Sequence, residues 1–154
     1  MLRNLAFAVG FPVSVIVLCT AASFAAADFG KPEEAKAMLE KAVAAVKDDK
    51  AKALDMFNNG EGGFKDRDLY VWCANASDGI ITGQPYGDKG KQLRDIQGMH
   101  GGSLGETIMQ NATEGTMKET TYWFPRHPTG EVREKTVFYT KAGDQICGVG
   151  YYKE

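Results

Sequence analysis

A lysine among aromatic side chains is the group in this sequence that most suggests chemistry. Lys135 and Tyr139 fall in one β-prone segment, and Tyr122 and Phe124 fall in the segment before it. Because side chains alternate between the faces of a strand, each of these pairs shares one face. A cation with hydroxyl donors in a mostly apolar lining is typical of a site for a small anion. The pattern also fits a solvated lysine whose stem is covered by tyrosines.

Two further strand segments carry residues of interest. Tyr70 and Trp72 share a face of the first predicted strand, and Gly148 and Gly150 share a face of the last. Two glycines on one strand face leave room for another group to approach the backbone. Simple packing under a helix is the alternative explanation for them.

The two histidines do not form a recognisable metal site. Neither His100 nor His127 has a nearby carboxylate pattern. We expect His127 to be a turn residue, whereas His100 could border the site and pair with an anion when protonated. The motifs of nucleophile elbows, zinc proteases, P-loops and c-type haem attachment are absent from the sequence. We therefore predict no catalytic residue, no metal, no cofactor and no enzymatic activity; a small enzyme using Lys135 and His100 is the weaker alternative.

The first 27 residues have the three-part order of a secretory signal. Arg3 is followed by an apolar run over residues 5–18 and then by an A-x-A site formed by Ala25 and Ala27. This order predicts cleavage after Ala27 and a periplasmic or secreted domain over residues 28–154. An uncleaved anchor is the alternative, because residues 4–27 carry no charge and nearly suffice to span a bilayer.

The composition of residues 28–154 limits what they can do. Their number suits one domain with one core. Their net charge of −3, one below that of the whole chain because Arg3 is excluded, does not predict nucleic-acid binding. No second apolar stretch is long enough to cross a membrane after cleavage. Cys73 and Cys147 either form a disulfide or remain free buried thiols.

Hydrophobic periodicity changes from helical to strand-like near residue 64. An apolar stripe predicts a helix that starts at Pro32, and the same period recurs briefly after it. The predicted elements are helices at 32–47, 51–58 and 104–113 and strands at 69–75, 80–82, 117–124, 131–141 and 145–152, with an irregular stretch at 83–102. Short turns join the last three strands into an antiparallel meander. The expected fold class is α+β, with helices packed on a five-stranded antiparallel sheet.

Several stretches in this order resemble the single Cache domain family of extracellular bacterial sensing domains. They are KALDMFNNGEGGFKDRDLYVWC, the SDG turn, QPYGDKGKQLRDIQG, TYWFPRHPTG and GDQICGVGYY. The resemblance implies a PAS-like sheet whose first and last strands lie side by side at its centre. It also implies a long amino-terminal helix on one face and a small-molecule pocket on the other. With those strands adjacent, a disulfide between Cys73 and Cys147 is geometrically reasonable.

The resemblance also implies where ligand-binding residues lie. It places a lysine in the pocket at Lys135 and further pocket residues at Gln84-Pro85 and near Asp95. Relatives that bind short carboxylic acids often have a Tyr-Pro pair where this chain has Gln84-Pro85. The candidate ligand-binding residues are therefore Tyr70, Trp72, Pro85, Asp95, His100, Tyr122, Phe124, Lys135 and Tyr139.

These observations lead to a functional expectation. We expect an exported binding or sensing domain for a small organic anion such as a short carboxylate. Relatives usually sit between two transmembrane helices, whereas this sequence resembles a freestanding version. It would therefore act in signal transduction or chemotaxis through a membrane receptor or sensor kinase. The alternative is a structural or interaction module that dimerises, or docks on another exported protein, without a small ligand.

Overall fold

A computed structural model of the protein describes residues 29–153. The predicted signal peptide, residues 1–27, and its cleavage site lie outside the described residues. Over residues 29–153, no helix has both the length and the apolar character needed to cross a membrane.

Helices come first in the described chain and strands dominate its second half. The helices are α1 (Pro32–Asp48), α2 (Lys50–Asn59) and α3 (Leu104–Asn111), and a 3₁₀ turn spans Leu93–Asp95. The strands are β1 (Lys65–Asp66), β2 (Leu69–Asn75), β3 (Ile81–Gly83), β4 (Lys118–Pro125), β5 (Val132–Ala142) and β6 (Gln145–Tyr152). The α+β class, the meander of β4, β5 and β6, and the long amino-terminal helix are confirmed.

The sheet is antiparallel, with the order β1-β2-β6-β5-β4, and β3 also pairs with β2. The first long strand and the last strand therefore lie side by side at the centre, as the resemblance implied. Within residues 29–153 the sheet has six strands rather than the expected five. The additional strand is β1, whose two exposed residues are too few to produce an alternating pattern.

One face of the sheet is covered by α1. Pro32 fits the first helical turn, and the acidic Glu33 and Glu34 complement its positive end. The apolar stripe of α1 packs into a core that includes Val71 and Val149 of the central strands. The buried residues of α1 are Ala35, Met38, Leu39, Ala42 and Val46. This stripe is thus used for packing within the chain.

A disulfide joins the two central strands inside this core. Cys73 of β2 lies directly opposite Cys147 of β6, their Cα atoms are 4.1 Å apart, and neither residue is exposed. Of the two alternatives left open by the sequence, the structure has the disulfide. It holds together the strands whose opposite face carries Tyr70, Trp72 and two glycines.

The other face of the sheet is covered by the irregular stretch and α3. Leu93 of the 3₁₀ turn and Ile108 of α3 pack with Val137 and Ile146 of the sheet. A Cβ on Gly105 would lie 1.6 Å from the carbonyl oxygen of Leu93, so only glycine allows this close contact. Residues 83–102 therefore form part of an ordered layer above the sheet.

Candidate functional site

A cavity of about 90 Å³ lies between the sheet and this covering layer. Strands β2 and β4 contribute aromatic rings, and the covering layer contributes mainly aliphatic side chains. The lining residues are Tyr70, Trp72, Ile81, Gln84, Tyr86, Asp88, Leu93, Ile96, Leu104, Ile108, Tyr122, Phe124 and His127. The volume accommodates several water-sized groups, so it suits an organic molecule of a few heavy atoms.

The glycine face of β6 makes room for two side chains at this site. A Cβ on Gly148 would lie 2.5 Å from the Trp72 ring, and one on Gly150 would lie 2.3 Å from Cε of Lys135. The side chains of Trp72 and Lys135 therefore lie against the bare backbone of β6. The groups that approach this backbone belong to the protein itself.

Lys135 is buried among aromatic rings beside the cavity. On β5 it pairs with Tyr122 of β4 on one side and Tyr152 of β6 on the other. Its side chain is inaccessible, with only 1% of the residue exposed, and Nζ donates a hydrogen bond of 3.0 Å to the Tyr70 hydroxyl. Nζ also lies 4.3, 4.6 and 5.6 Å from the ring centres of Tyr70, Tyr152 and Phe124. These rings favour a cation at this position.

Burial opposes the charge that the rings favour. Loss of solvent lowers the pKa of Lys135 to about 7, although the negative charge of Asp68 raises it. Asp68 is engaged elsewhere, since it accepts hydrogen bonds from the Gly30 amide at 2.7 Å and from Nε of Arg126 at 3.2 Å. In the part of the chain that the structure describes, no carboxylate forms an ion pair with Lys135.

The tyrosines of the site remain protonated at neutral pH. Burial raises the pKa of Tyr70, Tyr122 and Tyr152. The Tyr152 hydroxyl donates to the carbonyl oxygen of Pro125 at 2.7 Å. The Tyr70 oxygen accepts from Lys135, so its own proton is available for donation to another acceptor.

Two loop residues complete the aromatic wall. The rings of Tyr86 and His127 stack with centres 4.1 Å apart and an interplanar angle of 12°. The Tyr70 ring meets Tyr86 edge-on at 4.8 Å. Burial, reinforced by the positive charges of Lys135 and Lys65, lowers the pKa of His127 and favours its neutral form. His127 does lie in the β4–β5 connection as expected, but its ring also lines the cavity.

The structure brings together five of the nine sequence-predicted site residues. Tyr70, Trp72, Tyr122 and Phe124 line the cavity, and Lys135 contacts the rings of Tyr70 and Phe124. All five are strand residues; alternation gave the face that each shares within its strand, and the resemblance implied the pocket position of Lys135.

The other four residues do not line this cavity. Asp95 and His100 are exposed, because the covering layer turns Leu93 and Ile96 inward instead. His100 lies beside the Trp123 ring, with ring centres 5.2 Å apart. Pro85 lies between two lining residues without lining the cavity itself. Tyr139 is buried in the second core, four residues along β5 from Lys135.

Tyr86, Asp88 and His127 line the cavity although no sequence pattern predicts it. They lie in connections, where no alternation indicates which way a side chain points. Within residues 29–153, no group of three or more His, Cys, Asp or Glu residues is placed to hold a metal ion.

Comparisons with known proteins show which solved structures have a similar fold. No protein-family model matches the chain, and no curated protein matches its sequence. The solved structures with a similar fold include three chemotaxis or sensor proteins. A methyl-accepting chemotaxis protein from Vibrio parahaemolyticus matches with a TM-score of 0.63 and 19% identity, covering 78% of this chain and 86% of that one.

Two further structures with a fold similar to that of this chain are sensor domains. A Cache chemosensory domain, described for its carboxylic acid recognition, matches with a TM-score of 0.59 and 14% identity over 79% of this chain and 92% of its own. A periplasmic sensor domain of a chemotaxis protein matches with a TM-score of 0.55 and 18% identity, covering 79% of this chain and 90% of that one. The described chain therefore has the fold of a single Cache domain.

Proposed function

We propose that this chain is an exported sensing domain that binds a small organic anion, such as a short carboxylate, in the cavity beside Lys135. The observation that carries the proposal is the buried ammonium of Lys135, which has a hydroxyl and three aromatic rings around it but no carboxylate partner among residues 29–153. Burying a charge is unfavourable unless it is paired. A bound anion would supply the missing charge.

The cavity supports a ligand with one charged end and a small body. The Tyr70 ring lines the cavity, and Nζ of Lys135 lies 3.0 Å from its hydroxyl, so the two donors are at one place. Apolar surface comes from Ile81, Leu104 and Ile108. The volume of about 90 Å³ restricts the ligand to a few heavy atoms. A carboxylate with a short carbon chain has this combination of charge, size and apolar surface. The carboxylic acid recognition described for one similar structure agrees with this choice.

Export and signalling complete the proposal. A buried disulfide such as Cys73–Cys147 is typical of proteins in oxidising compartments, which supports a periplasmic or secreted location. The similar solved structures include chemotaxis and periplasmic sensor domains, which supports a role in signal transduction. We propose that the ligand-bound domain acts on a membrane receptor or sensor kinase.

Isothermal titration calorimetry with acetate, propionate, pyruvate and lactate tests the proposal. Lys135→Met removes the charge but keeps most of the side-chain volume, and we expect it to weaken binding about 30- to 150-fold, which corresponds to about 2–3 kcal/mol for a charged hydrogen bond. Lys141→Met on the same strand is the matched control. A flat response to every acid would favour an interaction module instead. Acid binding that Lys135→Met leaves unchanged would contradict an anion site at Lys135.

A further inference from the structure

The Gln84 side chain is a second polar group fixed beside the cavity. Gln84 directly follows β3, lines the cavity and is 5% exposed. Its Oε1 accepts a hydrogen bond of 2.6 Å from the backbone N–H of Tyr86. Because a backbone N–H can only donate, the amide oxygen must face it, and Nε2 must point the other way. The orientation of this amide is therefore determined by its surroundings.

The backbone beside Gln84 is also held in place. Its own N–H donates to Oδ1 of Asn58 at 3.1 Å. The Asn58 amide nitrogen in turn donates to the carbonyl oxygens of Leu54 and Thr82. These bonds connect α2, β3 and Gln84, so the side chain starts from a rigid position.

The Nε2 group of Gln84 has donors without an acceptor. It is shielded from solvent and has no hydrogen-bond partner among the described residues. Buried polar side-chain atoms nearly always have a partner, and leaving a donor unpaired is unfavourable. An unpaired amide on the wall of a cavity indicates that a bound molecule supplies the acceptor.

Gln84 and Lys135 reach the site from different parts of the sheet. Across the sheet, β3 pairs with β2, β2 pairs with β6, and β6 pairs with β5. Three strand spacings thus separate the two backbones, or about 14 Å at roughly 4.8 Å per spacing. The rings of Tyr70 and Trp72 come from β2, between them. A ligand that contacts both donors would use different oxygen atoms for them.

We infer that Gln84 determines which ligand binds, because its Nε2 donates a hydrogen bond to a second oxygen of the ligand. This inference rests on the proposed function. The ligand class is then a small hydroxy or oxo carboxylic acid rather than a plain carboxylic acid of the same size. Lys135 binds the carboxylate, and Gln84 binds the hydroxyl or oxo oxygen. We expect a preference of about tenfold for such an acid, the usual scale of one hydrogen bond to a buried donor.

Calorimetry with four matched probes tests this inference: propionate, lactate, 3-hydroxypropionate and pyruvate. In the unaltered protein, at least one oxygen-bearing acid should bind about tenfold more tightly than propionate. Gln84→Met should abolish that difference, so that propionate and the oxygen-bearing acids bind within about twofold of one another. Gln84→Leu also removes the donor without adding a charge, so it should lose the preference too and is the second variant if Gln84→Met does not fold. Gln110→Met on α3 is the control and should retain it.

The outcomes separate the two proposals. Equal affinity for all four acids, or a preference that survives in Gln84→Met, overturns the role of Gln84 while the anion site stands. Loss of propionate binding in a folded Gln84→Met variant also overturns it, because Gln84 would then serve the carboxylate itself. Failure of every acid to bind the unaltered protein overturns the anion site and this inference with it.

Discussion

Nζ of Lys135 lies 3.0 Å from the hydroxyl oxygen of Tyr70, and both residues are buried on the sheet face that borders the cavity. The lysine is thereby held against an uncharged partner whose pKa is raised by burial. A neutral hydroxyl orients the ammonium without neutralising it. When Lys135 is protonated, its charge therefore has no ion-pair partner among residues 29–153.

Anion affinity should depend on pH through Lys135. With its pKa near 7, Lys135 is mostly charged at pH 6 and about one-tenth charged at pH 8. A bound anion favours the charged form, so affinity should be constant below pH 7 and fall about tenfold per pH unit above it. Burial also lowers the pKa of His127, which favours the neutral form of that ring.

Calorimetric titrations at pH 6, 7, 8 and 9 would measure this dependence. The Lys135→Met variant should bind weakly at every pH, and Lys141→Met should follow the unaltered protein. Affinity that stays constant from pH 6 to pH 9 in the unaltered protein would show that Lys135 does not titrate on binding.

Gly148 should not tolerate a side chain. A Cβ there would lie 2.5 Å from the Trp72 ring and 2.9 Å from the carbonyl oxygen of Phe138, and neither group can move easily. We expect Gly148→Ala to lower the free energy of unfolding by about 1–3 kcal/mol. Gly98→Ala is the control, because its Cβ would meet nothing closer than 3.4 Å. Urea unfolding measures both, and equal stability of the two variants would contradict the close packing of Trp72.

The disulfide should contribute substantially to stability. Cys73 and Cys147 are 74 residues apart in sequence, so the bond greatly restricts the unfolded chain. The double variant Cys73→Ala/Cys147→Ala should lose about 2–4 kcal/mol of unfolding free energy. Residues 28–154, expressed into an oxidising compartment and denatured without reductant, should show no free thiol in a thiol titration. Two thiols per chain would contradict the bond.

Asp68 should anchor the beginning of the described chain. It is buried, accepts from the Gly30 amide and pairs with Arg126. Asp68→Asn removes the charge but keeps the shape, and we expect a loss of about 1–3 kcal/mol in urea unfolding. Faster hydrogen exchange at residues 29–34 should accompany it. The control Asp55→Asn on α2 should change neither quantity. Unchanged stability and unchanged hydrogen exchange in Asp68→Asn would rule out the anchoring role.

The sequence predicted most of the sheet and only part of the site, for a physical reason. Strand alternation places Tyr70 and Trp72 on one face, and the structure has them there. Tyr86 and His127 lie in connections, where tertiary packing alone determines the direction of the side chain. The two glycines of β6 left the identity of the approaching group open, and only the packed structure identifies it as Trp72 and Lys135.

Whether the charge of Lys135 holds the ligand is tested most directly by a calorimetric comparison of the unaltered protein with Lys135→Met at pH 6, where Lys135 is mostly charged. We expect the unaltered protein to bind at least one short carboxylate and Lys135→Met to bind it about 30- to 150-fold more weakly, with Lys141→Met unaffected. Equal binding by all three proteins would contradict the claim, because the buried charge of Lys135 would then have no part in holding the ligand.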